Sequence, residues 1–277
     1  MIRFNALTGE PLLLAPARAS RPNDFHEPEQ PCPFCPGNES ATPPEVARAG
    51  DPWRVRVFPN KYPATAQHEV IVESPRHGGA FHDLAIADAE QVVLLYAQRY
   101  RALRARASAV IIFKNHGPDA GASLAHLHSQ IVGTPFVPPR VAREIDGFTR
   151  AGDCPLCALP GVTIAETGSF VWIAPHASAM PYQSWIVPRV HAPEFVPPTD
   201  VTELATLLLR ASRATSGLRP SFNWIFMNFA AAPRAHWYIE IFPRIATLAG
   251  FELGTGSTIN IIDPEEAAAA LKALSSP

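Results

Sequence analysis

The sequence predicts an α+β fold in which two tandem units, each an antiparallel sheet with a packed helix, form one pseudo-symmetric protomer. Two observations carry this. Short segments alternate apolar and polar residues as half-buried strands do, while the residues after Asp88 and after Asp200 recur at helical spacing. The second observation is order. A C-P-x-C pair, a strand ending at a histidine, an acid-capped helix, an apolar strand and a histidine-bearing strand occur twice in the same succession. The matched positions Cys32/Cys154, His77/His191, Asp88/Asp200 and His126/His236 lie 122, 114, 112 and 110 residues apart, a drift that a few loop deletions explain. The units are drawn at 1–140 and 141–277.

Residues 1–31 read as a polar, proline-broken lead-in whose Arg18 and Arg21 could meet a phosphate, though spacing alone favours a solvated loop. After Cys32 and Cys35, residues 53–58 alternate like a strand, residues 59–63 turn, and residues 69–73 form a second strand that closes at His77. Asp88 with Gln91 reads as a helix cap, followed by Val92, Leu95, Tyr96 and Leu103 on one face. A strand over 109–114, a loop over 115–123 and a strand over 126–133 complete the unit. The second unit repeats this with a strand over 184–191, a helix capped by Asp200 and Glu203 that carries Leu204, Leu207 and Leu208, and strands over 222–229 and 235–241.

Composition narrows the function. A formal charge of −2 argues against a general nucleic-acid binder, which would carry a basic footprint. No apolar run reaches the roughly 18 residues of a membrane helix, and none resembles a signal peptide, so a cytoplasmic enzyme is the expectation. All four cysteines sit in two C-P-x-C pairs within proline-rich segments, which favours metal over redox chemistry. Duplication sharpens this reading. Cys32, Cys35, His77 and His126 form one Cys₂His₂ set and Cys154, Cys157, His191 and His236 the other, so two structural zinc sites are expected.

His126, His128 and Gln130 share one face of their strand. Alone, H-x-H-x-Q is equally a half-buried strand and a site. An imidazole held in one tautomer beside a glycine-serine loop suits attack on phosphorus. The second unit has Tyr238 and Glu240 where the first has His128 and Gln130, so one catalytic centre per chain is expected. Of the unmatched histidines, His116 lies beside the loop, and His26, His68, His82 and His176 are assigned to surface or packed loops.

With these residues in place, the chain resembles the galactose-1-phosphate uridylyltransferase family of the histidine-triad superfamily. The resemblance runs from Arg18 to about Asn260 and rests on A-R-A-S-R-P at 17–22, C-P-F-C, F-P-N-K-Y-P-A at 58–64, N-H-G-P-D-A-G-A-S at 115–123 and H-L-H-S-Q at 126–130. It implies tandem histidine-triad-like units and His128 as a nucleophile that takes a nucleoside monophosphate, UMP first, from a nucleotide sugar and passes it to a sugar 1-phosphate. It further implies that Gln130 and Ser123 hold nonbridging oxygens and that Asn115 and Gly121 cradle phosphate. Asn60, Arg18 and Arg21 match positions near the nucleotide and phosphates, and a homodimer is implied. Well-known uridylyltransferases carry a glutamate and three histidines at the second metal. The Cys₂His₂ set here and the tail Gly250–Ser257 look more like the ADP-glucose phosphorylase branch, which transfers adenylyl groups to phosphate. The rival readings are a nucleotide hydrolase of the superfamily, which usually has a third histidine at the Gln130 position, and a zinc-stabilised nucleotide-binding or scaffold protein without catalysis.

Overall fold

A computed structural model describes residues 1–20, 31–195, 200–230 and 232–276. A two-stranded ribbon, β1 (Ile2–Phe4) with β2 (Pro11–Leu13), stands apart from the main sheet. The first unit supplies β3 (Ala47–Ala49), β4 (Val55–Pro59), β5 (Gln67–Val72), α1 (Ile86–Arg104), β6 (Ala109–His116) and β7 (His128–Thr134). Then come α2 (Pro139–Ala151), β8 (Gly161–Glu166), β9 (Phe170–Pro175), β10 (Ser184–Pro188), α3 (Val201–Leu218), β11 (Phe222–Met227), β12 (Tyr238–Pro243), α4 (Gly250–Thr255) and α5 (Pro264–Leu274).

The main sheet has ten strands in the order β3-β4-β5-β7-β6-β11-β12-β10-β9-β8, every neighbouring pair antiparallel. Read from either edge, the order is the same once the units are exchanged. The seam is the β6–β11 ladder, where Phe113 pairs with Ile225, residues at equivalent places in the two units. This is the α+β tandem architecture that the repeat predicts.

Alternation decides which residues face which layer. Ile71, Ile131, Ile239 and Ile241 point to one side, where they pack with Val92 and Tyr96 of α1, Leu204 and Leu208 of α3 and Leu271 of α5 in one continuous core. Each fully buried aliphatic side chain contributes roughly 1.5–3 kcal/mol, so this layer supplies most of the cohesion. The other side differs between units. Over the second, α2 lays Val141 and Phe148 onto Val171, Ile173, Val187 and Tyr238. Over the first, no helix lies among the described residues, only a small cluster of Phe34, Trp53, Phe58, Val70 and Val72.

Two local expectations are corrected. Asp88 does not cap α1, which begins at Ile86 after Ala85; its carboxylate is taken instead by a bidentate pair with Arg54. Asp200 does cap α3, accepting from the Glu203 backbone at 3.1 Å. The strand expected from His126 starts at His128, because the preceding residues leave the ladder as His126 turns toward Cys32 and Cys35.

Candidate active site

The uncovered side of the first unit holds a cavity of about 470 Å³. Phe34, Phe58, Val70 and Leu124 give it apolar walls, and Asn60, Ser123, His128 and Gln130 are its polar groups. Register explains the convergence: His128 pairs with Val72 and Gln130 with Val70, so both polar side chains rise on the same face as those valines. His128 also lines an adjoining cavity of about 420 Å³, with Asn115, Gly117 and Ala122. The imidazole therefore stands between two spaces.

Its tautomer is set by the backbone. His128 Nδ1 lies 2.7 Å from the His126 carbonyl, which can only accept, so Nδ1 carries the proton and Nε2 keeps its lone pair. Burial pushes His128 down to about 4, and the charge of Lys114 adds to the effect, so the ring is neutral near pH 7. A neutral ring with one bare nitrogen is the form a nucleophile needs.

Beneath the strand lies a buried polar cluster on the α1 side. Lys114 Nζ donates to the His128 carbonyl at 3.0 Å and is paired with Glu73. The Tyr96 and Ser129 hydroxyls also donate to Glu73. The Lys114 ammonium sits 5.3 Å from the Trp224 ring centre and 5.8 Å from that of Phe81. The backbone bearing His128 is thus tied from below by an ion pair that water does not reach.

The loop over 115–123 needs glycine twice. Gly117 has φ +81°, and a Cβ there would fall 2.3 Å from Ser221 Oγ; Gly121 also has φ +81° and ends a short turn in the left-handed region. Asn223 of the second unit holds this loop, donating to Asn115 Oδ1 at 2.8 Å and to the Ala120 carbonyl at 3.1 Å. With its oxygen engaged, Asn115 presents its NH₂ end elsewhere, and that nitrogen is the nearest atom to a Cβ built on Gly121.

Each Cys₂His₂ set is gathered within 4.8 Å. In the first, His126 Nδ1 lies 3.6 Å from both Cys32 Sγ and Cys35 Sγ, and His77 Nδ1 lies 3.3 Å from Cys35 Sγ. In the second, His236 Nδ1 lies 3.6 Å from Cys154 Sγ and Cys157 Sγ, and His191 Nδ1 lies 3.4 Å from Cys157 Sγ. A tetrahedral zinc with ordinary Zn–S and Zn–N bonds spaces sulfur from nitrogen by about 3.6 Å, so the sets fit the ion. His126 Nε2 donates to the Ser74 carbonyl at 2.7 Å, which leaves Nδ1 bare toward the thiols. Burial, with Cys35 alongside, lifts the Cys32 thiol to about 11, a cost that a divalent cation would offset.

In the second unit a cavity of about 570 Å³ occupies the equivalent place, under α2. Tyr238 and Glu240 stand where His128 and Gln130 do. Arg140 of α2 makes a two-pronged pair with Glu240 at 2.7 and 3.0 Å, Gln183 also donates to Glu240, and the Tyr238 hydroxyl donates to Glu144 at 3.0 Å. Here the polar groups satisfy one another.

His128, Gln130, Ser123 and Asn60 thus meet in one cavity, and Asn115 lines the adjoining one with His128. Arg18 donates to the carbonyl of Tyr62, a residue of the cavity wall. Arg21 and His26 lie outside the described residues. His176 is exposed, whereas His116 lines the adjoining cavity against Phe222. His68 corrects its assignment to surface or loop: it is on β5, 3% exposed, with Nε2 at 2.9 Å from Gln130 Oε1. The signal was available, since His68, Val70 and Val72 alternate onto the face that pairs with His128 and Gln130. Lys114, Glu73 and Asn223 were also missed; they act through a face and a partner strand that local spacing does not reveal.

Comparison with known proteins adds to this geometry. Residues 16–137 match the model of the N-terminal domain of a family described as a domain of unknown function (DUF4931). The chain is 31% identical to ADP-glucose phosphorylase of Arabidopsis thaliana, over 99% of this chain and 93% of that protein. It is 24% identical to galactose-1-phosphate uridylyltransferase of Thermotoga maritima, over 98% and 97%. A crystal structure of the Arabidopsis thaliana ADP-glucose phosphorylase with bound ADP-glucose superposes with a TM-score of 0.82 at 30% identity, covering 98% of each chain. A uridylyltransferase structure gives 0.84 at 27%, covering 99% of this chain and 98% of the other.

Proposed function

The chain belongs to the galactose-1-phosphate uridylyltransferase family, the ADP-glucose phosphorylase branch included, and is a nucleotidyltransferase of it; from that premise we propose that His128 carries the nucleotide between donor and acceptor. His128 Nε2 attacks the α-phosphorus of a nucleotide sugar. The N–P bond forms, the bond to the bridging oxygen breaks, and the sugar 1-phosphate leaves with both bonding electrons. The proton stays on Nδ1, which donates to the His126 carbonyl, and that acceptor stabilises the cationic ring of the intermediate. A phosphate-bearing acceptor then attacks the same phosphorus and restores Nε2. A sugar phosphate is a good leaving group, so positioning and charge stabilisation carry the step. Gln130 and Ser123 hold nonbridging oxygens, Asn115 and the backbone at Gly121 hold phosphate in the adjoining cavity, and the apolar walls with Asn60 receive the nucleoside; Arg18, held at the Tyr62 carbonyl, serves the phosphates, a role also proposed for Arg21.

The observation that carries this reading is the bare Nε2 of a neutral, backbone-locked imidazole between two cavities. The donor put first is ADP-glucose, with phosphate as acceptor, ahead of the UDP-sugar and sugar 1-phosphate expected from sequence. The 31% identity with the Arabidopsis thaliana enzyme, in a match that covers 99% of the chain, and the Cys₂His₂ composition of the second metal set support that order. The eight thiol and imidazole ligands would hold two zinc ions. Closed four-ligand sites supply rigidity and leave no position for substrate, so the metal's contribution is to brace His126 and the strand beyond it.

The test is labelling with ADP-glucose and UDP-glucose bearing radioactive α-phosphate. The expected result is an acid-labile, base-stable label on the wild-type protein, discharged by phosphate and absent from His128→Asn. Labelling from ADP-glucose should exceed that from UDP-glucose. A wild type that turns over either donor without acquiring label would overturn the covalent step.

A further inference from the structure

Gln130 can meet a phosphate oxygen only with its NH₂ end turned to the cavity, and a side-chain amide has two orientations of nearly equal shape. Which one is present follows from the hydrogen-bond network. The Ala64 backbone N–H donates to His68 Nδ1 at 3.0 Å. A backbone N–H has no other role, so Nδ1 holds the lone pair and the ring proton is on Nε2. His68 Nε2 lies 2.9 Å from the Gln130 amide and therefore faces its oxygen, Oε1. The opposite flip would require a proton on Nδ1, head-on to the Ala64 proton.

Asn60 reaches the same conclusion independently. Its Oδ1 accepts from the Tyr62 backbone at 2.8 Å, which turns its NH₂ inward, where Nδ2 lies 3.4 Å from Gln130 Oε1. The 3.1 Å separation of Asn60 Nδ2 from His68 Nε2 is then the contact of two donors converging on one acceptor. No carbonyl or side chain among the described residues accepts from the Gln130 nitrogen, which is left for the cavity.

We propose that His68 is a positioning residue that locks the Gln130 amide with its donors toward the substrate phosphate. The proposal rests on nucleotidyl transfer at His128 and adds a residue that touches neither substrate nor the reacting atoms. Without His68, the amide is free to present its oxygen to an anionic phosphate, which repels it. Misplacing one such donor costs about tenfold to a hundredfold in turnover, less than deleting a donor outright.

The experiment is a double-mutant cycle with His68→Leu and Gln130→Ala, read as kcat and KM with ADP-glucose. The expected result is that His68→Leu lowers kcat about tenfold or more and leaves KM within about threefold, whereas in the Gln130→Ala background it changes kcat by less than about twofold. His68→Gln, which keeps an N–H within reach of Oε1, should recover most of the loss and covers the case in which the leucine variant fails to fold. Equal losses in both backgrounds would show that His68 acts through general packing and would overturn the proposal. Nitrogen NMR of the wild-type His68 ring supplies a readout that needs no activity: Nε2 protonated and Nδ1 bare is expected, and the reverse overturns the proposal. A wild type that never acquires label from donor, yet shows the expected ring tautomer, would fail the transfer reading while leaving the lock on Gln130 standing.

Discussion

The two units have the same strand order and the same Cys₂His₂ set in equivalent places, yet among the described residues only the first presents a bare imidazole nitrogen to the cavity on that face. In the first, the face bearing His128 and Gln130 opens on a cavity, and among the described residues Nε2 has no acceptor or donor. In the second, α2 covers the equivalent face, Arg140 neutralises Glu240, and Tyr238 spends its hydroxyl on Glu144. Burial beside Glu144 and Glu240 also holds the Tyr238 phenol well above its ordinary value, so it offers no phenolate near pH 7. The difference teaches that scaffold and chemistry separate cleanly in this fold. The Cys₂His₂ set, ladder and helix recur in both units, whereas the units differ in two side chains and in whether a helix covers them.

The largest contrast should come from the two equivalent positions themselves. His128→Asn is expected to lower turnover by at least about a thousandfold, as loss of a nucleophile does, while Tyr238→Phe should leave it within about twofold; both are read by sugar 1-phosphate release. An equal loss in both would erase the distinction between the units.

Next in size is the buried support. Lys114 and Glu73 are 1% and 0% exposed as side chains, and Lys114→Met leaves the Glu73 charge without its cation. A destabilisation of about 3–5 kcal/mol is expected in denaturant melts. The counterpart in the second unit, Arg140→Met, should cost less, about 1–2 kcal/mol, because Arg140 is 43% exposed and water screens the pair. A reversed ranking would mean that the second unit, not the first, holds the tighter electrostatic network.

The smallest effect on turnover separates the metal sets. Elemental analysis should find about two zinc ions per chain and about one in either Cys32→Ser or Cys154→Ser. Cys32→Ser should lower turnover about tenfold to a hundredfold, because His126 fixes the carbonyl that sets the His128 tautomer. Cys154→Ser should lower the melting temperature and leave kcat of the folded protein within about twofold. Equal kinetic losses would show that both metals serve the one centre.

Much of this was legible in the sequence because it is local or repeated. Duplicated spacing picked out all eight residues of the two Cys₂His₂ sets, and period-2 alternation placed His128 and Gln130 on one face. Asp200 announced its helix correctly. Asp88, in the same motif, lies inside its helix and does not cap it, since Arg54, just before β4, takes its carboxylate. His68 was missed for a related reason: its alternation with Val70 and Val72 marks a face, but its role exists only once β5 lies beside β7. Asn223 is further removed still, because it serves the first unit from within the second. Sequence shows which residues recur; it does not show which recurrence has been put to another use.

The seam between β6 and β11 carries a last consequence. Five ladder pairs join the units there, and the loop that flanks His128 hangs from Asn223 and packs against Ser221. A first unit released from its sibling would expose a long unpaired edge, an invitation to self-association, and would lose the peg that its loop is hung on. Whatever stands at Tyr238 and Glu240, the margin of the second unit is committed to propping up its twin.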